Sequence, residues 1–135
     1  MKLEYIWIDG YSTLRSKTRY VESCDTDAIP EMKWNYDGSS TNQSSGKDSE
    51  VLLNPVYSVR DPFRTKNDYL VLCEAVLPDG MPARCNYRSK AKEIFDKYTE
   101  DEPMYGIEQE FFISKHSKPI GILGSQMPDP QKDYY

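Results

Sequence analysis

Tyr-Leu-Val-Leu-Cys-Glu-Ala-Val-Leu, residues 69–77, decides how the fold is read. It is an almost unbroken apolar run closed by the turn signal Pro78-Asp79-Gly80, and it makes the strongest strand in the chain. Glu74 inside it is either an exposed face residue or an ion-pair partner of Arg84 or Arg88. Directly after this strand, residues 86–98 give the one clear helix. Ala91, Ile94, Phe95 and Tyr98 share a face at helical spacing, with lysines, Glu93 and Asp96 elsewhere. Asn86 or Ser89 supplies its cap. A strong strand beside a single helix points to an α+β fold, and the flanks agree.

Upstream, residues 2–8 read as a strand with both faces largely apolar, and Asp9-Gly10 as a turn. Residues 14–22 form a more polar strand, and the pair makes a hairpin. Arg15, Lys17 and Arg19 alternate on it, either as a solvated face or as a surface for phosphate or acidic partners. Residues 24–32 read as a loop or short helix. Trp34-Asn35-Tyr36 then runs into Asp37-Gly38, a strand end that delivers Asp37 into a tight turn. The tract from Thr41 to Ser49 reads as a solvated loop. Residues 50–59 form a third apolar strand interrupted by Pro55, which marks a bulge or an edge. Asp61-Pro62-Phe63-Arg64 is a turn.

Downstream, Met-Tyr-Gly-Ile-Glu-Gln-Glu-Phe-Phe-Ile, residues 104–113, reads as a strand over 105–113. Residues two apart on a strand share a face, so Glu108 and Glu110 are expected side by side. Two adjacent carboxylates repel, and a hard cation such as Mg²⁺ or Mn²⁺ relieves that. The plainer alternative is an edge strand with a solvated face. A hairpin at 115–118 returns the chain through Ile120 and Ile122, and the tail from Gly124 to Tyr135 has no clear period.

Composition narrows the function classes. Hydrophobic residues are 38% and charged residues 29% of the 135, which suits a globular domain. A net charge of -5 argues against nucleic-acid partners, and no apolar run approaches membrane length. The three cysteines, Cys24, Cys73 and Cys85, show no Cys-x-x-Cys spacing, so free thiols in a reducing cytoplasm are expected. The only histidine, His116, sits in a polar turn, which disfavours a Ser-His-Asp or Cys-His site. There is no zinc spacing and no phosphate-binding glycine motif.

Three segments together resemble the eukaryotic-type glutamine synthetases: Tyr5-Ile-Trp-Ile-Asp-Gly10, Trp34-Asn-Tyr-Asp-Gly-Ser-Ser-Thr41 with Gln43, and Tyr105-Gly-Ile-Glu-Gln-Glu-Phe111. Asp61-Pro-Phe-Arg64, Leu70-Val-Leu-Cys-Glu74, the Asn86/Arg88 pair and Pro128-x-Pro-Gln131 are similar too, in family order. The resemblance implies a β-grasp-like N-terminal domain over 1–82 and the beginning of the catalytic domain over 83–135. It implies glutamate–ammonia ligation with ATP, by way of γ-glutamyl phosphate, with Mg²⁺ or Mn²⁺ as cofactor, in a cytoplasmic ring-shaped oligomer. By motif, Glu108 is expected to ligate the metal bridging the nucleotide phosphates, and Glu110 the metal on the glutamate side. Asp37 is expected to hold ammonium and help deprotonate it in a neighbouring subunit's site, with Ser40 lining that pocket.

Two features depart from the family pattern. Lys132-Asp133 stands where a Gly-Pro pair usually precedes the two tyrosines. The family's further metal-binding and nucleotide-binding residues also lie beyond Tyr135. This polypeptide alone is therefore expected to lack synthetase activity, which an assay dependent on ATP, glutamate and ammonia tests. The alternative expectation is a non-catalytic β-grasp module that associates with full-length synthetase subunits.

Overall fold

A computed structural model describes residues 1–22, 25, 28–29, 32–64 and 67–119. Five strands make one mixed sheet: β1 (Lys2–Ile8), β2 (Leu14–Tyr20), β3 (Trp34–Asp37), β4 (Glu50–Arg60) and β5 (Tyr69–Val76). Their order is β2-β1-β5-β4-β3. The β1–β5 pair is parallel and the others are antiparallel. With the helix α1 (Tyr87–Lys97) this is the expected α+β, β-grasp-like architecture.

Period-two alternation puts Leu3, Tyr5 and Trp7 of β1 on one face with Val51, Leu53, Val71, Cys73 and Ala75, all buried. Ile29 and Ala83 join this core. Burying each of the larger aliphatic side chains is worth roughly 1.5–3 kcal/mol. The sheet curls around that core. Although β1 and β3 are not neighbours in it, Tyr5 and Trp34 meet edge to face at 5.3 Å, and Trp7 and Tyr36 approach to 4.5 Å between ring centres.

Pro55 marks a bulge and not an edge. The β4–β5 register shifts between Pro55 and Tyr57, while β4 itself lies between β5 and β3. A proline has no N–H to give to a ladder, and a bulge is where an interior strand tolerates that.

Helix α1 is capped by Asn86, whose Oδ1 accepts from Ser89 N at 3.3 Å. The same side chain donates through Nδ2 to Ala75 O at 2.8 Å, tying the helix start to the end of β5. None of the helix residues is buried, and Ile94, Phe95 and Tyr98 stay about half exposed. Glu74 pairs with Arg88 at 3.4 Å, which selects that partner over Arg84. The compact unit runs from Met1 to Asp101 and takes in the helix as well as the sheet.

The second unit, Glu102–Tyr135, corrects one expectation. Residues 105–113 form no strand; the described chain has no regular structure from 102 to 113 and is exposed throughout it. A strand exists only by exchanging backbone hydrogen bonds with a neighbour, and no strand among the described residues forms a ladder with this segment. The hairpin that follows is present as β6 (Ser114–Lys115) and β7 (Lys118–Pro119). Its turn residues His116 and Ser117 have φ of 51° and 62°, the left-handed pair that matches the twist of two-residue hairpins. The expected return through Ile120 and Ile122, the tail motif and Cys24 lie outside the described residues.

Candidate functional site

Asp37 closes β3, and the reason it faces outward is local. Trp34 and Tyr36 point inward onto the β1 aromatics, so Asn35 and Asp37 point out. Asp37 stands opposite Glu50 in the β3–β4 register. The next residue must be glycine: Gly38 is buried, and a Cβ there would collide with Val51 Cγ2 and with Ser44 Oγ. Gly38 N donates to Ser49 O at 2.7 Å. Its carbonyl oxygen accepts from Gln43 N at 2.9 Å and from Thr41 N and Ser44 N at 3.2 Å. The turn that presents Asp37 is thus wound around a single carbonyl.

The Asp37 carboxylate is exposed and ordered by its own turn. Oδ1 accepts from Ser39 Oγ at 2.6 Å and from Ser39 N at 2.9 Å. The Ser39 hydroxyl, and then its N–H, hold the Asp37 carboxyl below the usual aspartate value. Ser40 donates its hydroxyl to Asp37 O at 3.1 Å, which places it beside Asp37 with oxygen lone pairs free to accept. An ionised, oriented carboxylate next to a hydroxyl acceptor suits a small cation that donates hydrogen bonds.

The tract from Thr41 to Ser49 is not a simple solvated loop. Thr41 and Gln43 are each only 6% exposed. Gly10 N donates to Thr41 O at 2.9 Å, and a Cβ on Gly10 would strike the Asn42 carbonyl. Gln43 Nε2 donates to Ile8 O at 3.1 Å and to Arg84 O at 3.0 Å, while its Oε1 accepts the Tyr36 hydroxyl. Sequence polarity concealed this, because a glutamine among serines and asparagines carries no periodic mark of burial. Glu50 likewise carries no sequence mark of its partner; Asn35 Nδ2 donates to its Oε1 at 2.6 Å.

The basic alternation on β2 serves the protein's own structure. Arg15 Nε meets the buried Asp9 at 2.7 Å, and Lys17 reaches across to Trp34 and to Asn35 O. Cys73 is a free buried thiol pushed up to about 12 by burial, and Cys85 is free as well.

Glu108 and Glu110 lie in the second unit, both exposed, on the segment without regular structure. The period-two argument for a carboxylate wall therefore does not apply to them here. Among the described residues no group of three or more His, Cys, Asp or Glu side chains could hold a metal. The described residues do not by themselves fit a divalent-cation centre. His116 is an exposed turn residue, as expected.

A family model described as "Glutamine synthetase, beta-Grasp domain" matches residues 1–78. Glutamine synthetase of Agaricus bisporus is 43% identical over 136 residues, covering 100% of this chain and 38% of the relative. The chloroplastic/mitochondrial glutamine synthetase of Arabidopsis thaliana is 46% identical, over 98% of this chain and 32% of its own length. A cytosolic isozyme from the same plant is 45% identical. The chain thus spans about a third of the length of the curated relatives it matches. Among solved structures, Plasmodium falciparum glutamine synthetase superposes with a TM-score of 0.53 at 16% identity, over 74% of this chain and 20% of that one, a likeness of fold. No helix among the described residues is long and apolar enough to cross a membrane.

Proposed function

Because the chain belongs to the glutamine synthetase family and carries that family's β-grasp domain, we propose that it supplies the ammonium-facing half of a ligase site shared between subunits. The observation that carries this reading is the Asp37 turn: an exposed, ionised carboxylate, aimed by Ser39 and flanked by the Ser40 hydroxyl. The reaction is the ATP-driven joining of glutamate and ammonia through γ-glutamyl phosphate. Asp37 and Ser40 bind the ammonium; once it has lost a proton, ammonia attacks the γ-carbonyl carbon of the acyl phosphate and displaces inorganic phosphate. The lowered pKa of Asp37 favours holding the cation over removing its proton. Proton removal then depends on desolvation when a second subunit covers the turn, since burial raises a carboxylate's pKa.

Within this reading residues 1–82 are the β-grasp domain and residues 83–135 begin the catalytic domain. Glu108 is offered as a residue that would ligate the Mg²⁺ or Mn²⁺ on the nucleotide-phosphate side, and Glu110 as one that would ligate a second such ion on the glutamate side, each needing further ligands outside the described residues. The partners are further synthetase subunits, and the location is cytoplasmic. The sheet unit forms its own core while the segment bearing Glu108 and Glu110 has no regular structure. That contrast also favours the simpler role of a β-grasp module lending Asp37 to full-length subunits.

Mixing tests the proposal. Full-length synthetase subunits whose equivalent of Asp37 is Asn should regain ammonia-dependent glutamine formation when this chain is added. They should not regain it with Asp37→Asn. Equal rescue by both, or no association between the chains, would sink the reading.

A further inference from the structure

We propose that Gln43 is the positioning residue that fixes the aim of Asp37, an inference that rests on the role given to Asp37 above. Asp37 is exposed at the end of β3, opposite Glu50, and its carboxylate is held by Ser39 of the turn that follows it. That turn is wound on Gly38 O, and Gln43 N makes the shortest of the three amide bonds to it, at 2.9 Å. The Gln43 side chain then secures the turn to three separate elements. Both of its amide hydrogens go to backbone carbonyls, Ile8 O at the end of β1 and Arg84 O ahead of α1, and its oxygen accepts from Tyr36 of β3.

One buried side chain, 6% exposed, therefore holds the Asp37 turn to the sheet and to the lead-in of the helix. Nothing shorter spans all three partners, and nothing apolar satisfies them. Removing Gln43 leaves two carbonyls and a hydroxyl without their partner, and buried polar groups that lose a partner drive local rearrangement toward water. The rearrangement falls on the 38–44 turn, because β1 and β3 are held by their own ladders. Asp37 then loses the fixed Ser39 donors that hold its carboxyl below the ordinary aspartate value.

The test is a site-resolved carboxyl titration of Asp37 by NMR in the intact chain, comparing wild type, Gln43→Met, Gln43→Asn and the core control Val71→Ala. The expected result is an upward shift of the Asp37 midpoint, toward the ordinary aspartate value, in Gln43→Met. Gln43→Asn, one methylene too short for all three partners, moves in the same direction. Val71→Ala lowers stability and leaves the midpoint in place. An unchanged midpoint in a folded Gln43→Met chain overturns the proposal, as does an equal shift in Val71→Ala. If Gln43→Met does not fold, Gln43→Asn decides by the same criterion. Neither ammonium nor a second subunit enters this measurement, so its failure and the failure of the mixing experiment are distinguishable.

Discussion

Lys17 on one edge strand of the sheet holds its Nζ 3.5 Å from the ring centre of Trp34 on the opposite edge strand. The same ammonium donates to Asn35 O at 2.8 Å. Strands β2 and β3 are the two ends of the sheet, so one side chain bridges its open side. Replacing it by Met keeps the aliphatic stem and removes both contacts. Lys17→Met should cost about 2–4 kcal/mol, the sum of a partly exposed cation–π contact (about 0.5–1) and one hydrogen bond from a charged group (about 1.5–3). Urea unfolding checks this against Lys47→Met, an exposed loop position that should change little.

The glycines separate by what a methyl group would meet. Gly38→Ala drives a Cβ into Val51 and Ser44, and overpacking of that kind costs about 1–3 kcal/mol. Gly10→Ala meets backbone carbonyls that cannot rotate away and should be the more damaging. Gly46→Ala meets nothing within 4 Å and should be neutral or stabilising by up to about 1 kcal/mol, through the unfolded chain. Melting temperatures should be highest for Gly46→Ala, lower for Gly38→Ala and lowest for Gly10→Ala; similar losses in all three would count against the packing account.

Acid should loosen the β1–β2 turn through Asp9. Burial alone pushes the Asp9 carboxyl up, but the Arg15 bond and the Thr13 and Tyr11 N–H groups outweigh it, and the net displacement is downward. A carboxyl lowered in the folded state stabilises above its unfolded value of about 3.9, and that contribution is lost as pH falls through the folded value. The urea midpoint of the wild type should therefore drop as pH falls below about 4. Asp9→Asn should be less stable at neutral pH and flatter across the acid range. An equally steep acid fall in the variant would remove Asp9 from the explanation.

The segment 102–113 presents Met104, Ile107 and Phe112 at 97%, 93% and 86% exposure. Backbone outside any strand ladder, beside large apolar side chains, invites pairing between chains. Average mass in sedimentation should rise with concentration, and Phe112→Lys should shift the chain toward monomer. In the monomer, amides from 102 to 113 should exchange without protection while those of Val71 and Cys73 are protected. Uniform protection across both regions would contradict the structure.

The strands were legible because each carries its own record of burial. Leu3, Tyr5 and Trp7 alternate, residues 69–77 are apolar almost without interruption, and Asn86 caps the helix with its own side chain. Asp37 was legible for the same local reason: two aromatics turn inward before it, and a glycine follows. The segment bearing Glu108 and Glu110 forms no strand because a strand pattern states a preference, and only a neighbouring backbone converts that preference into a strand. The burial of Gln43 and the Asn35–Glu50 bond carry no sequence mark, because no period identifies a polar residue whose partners lie on other elements.

The sequence by itself determined the family, the α+β class and the strand that delivers Asp37, since these follow from local periodicity, turn chemistry and motif order. Only the tertiary structure decided that the sheet curls until Lys17 reaches Trp34, that Pro55 sits at an interior bulge, and that Gln43 fastens the Asp37 turn to β1, β3 and the helix lead-in. Tyr36 and Gln43 are seven positions apart, and the other side-chain contacts join residues 17 to 41 positions apart. They depend on where separate elements come together in space, which a pattern read along a single stretch of chain does not specify.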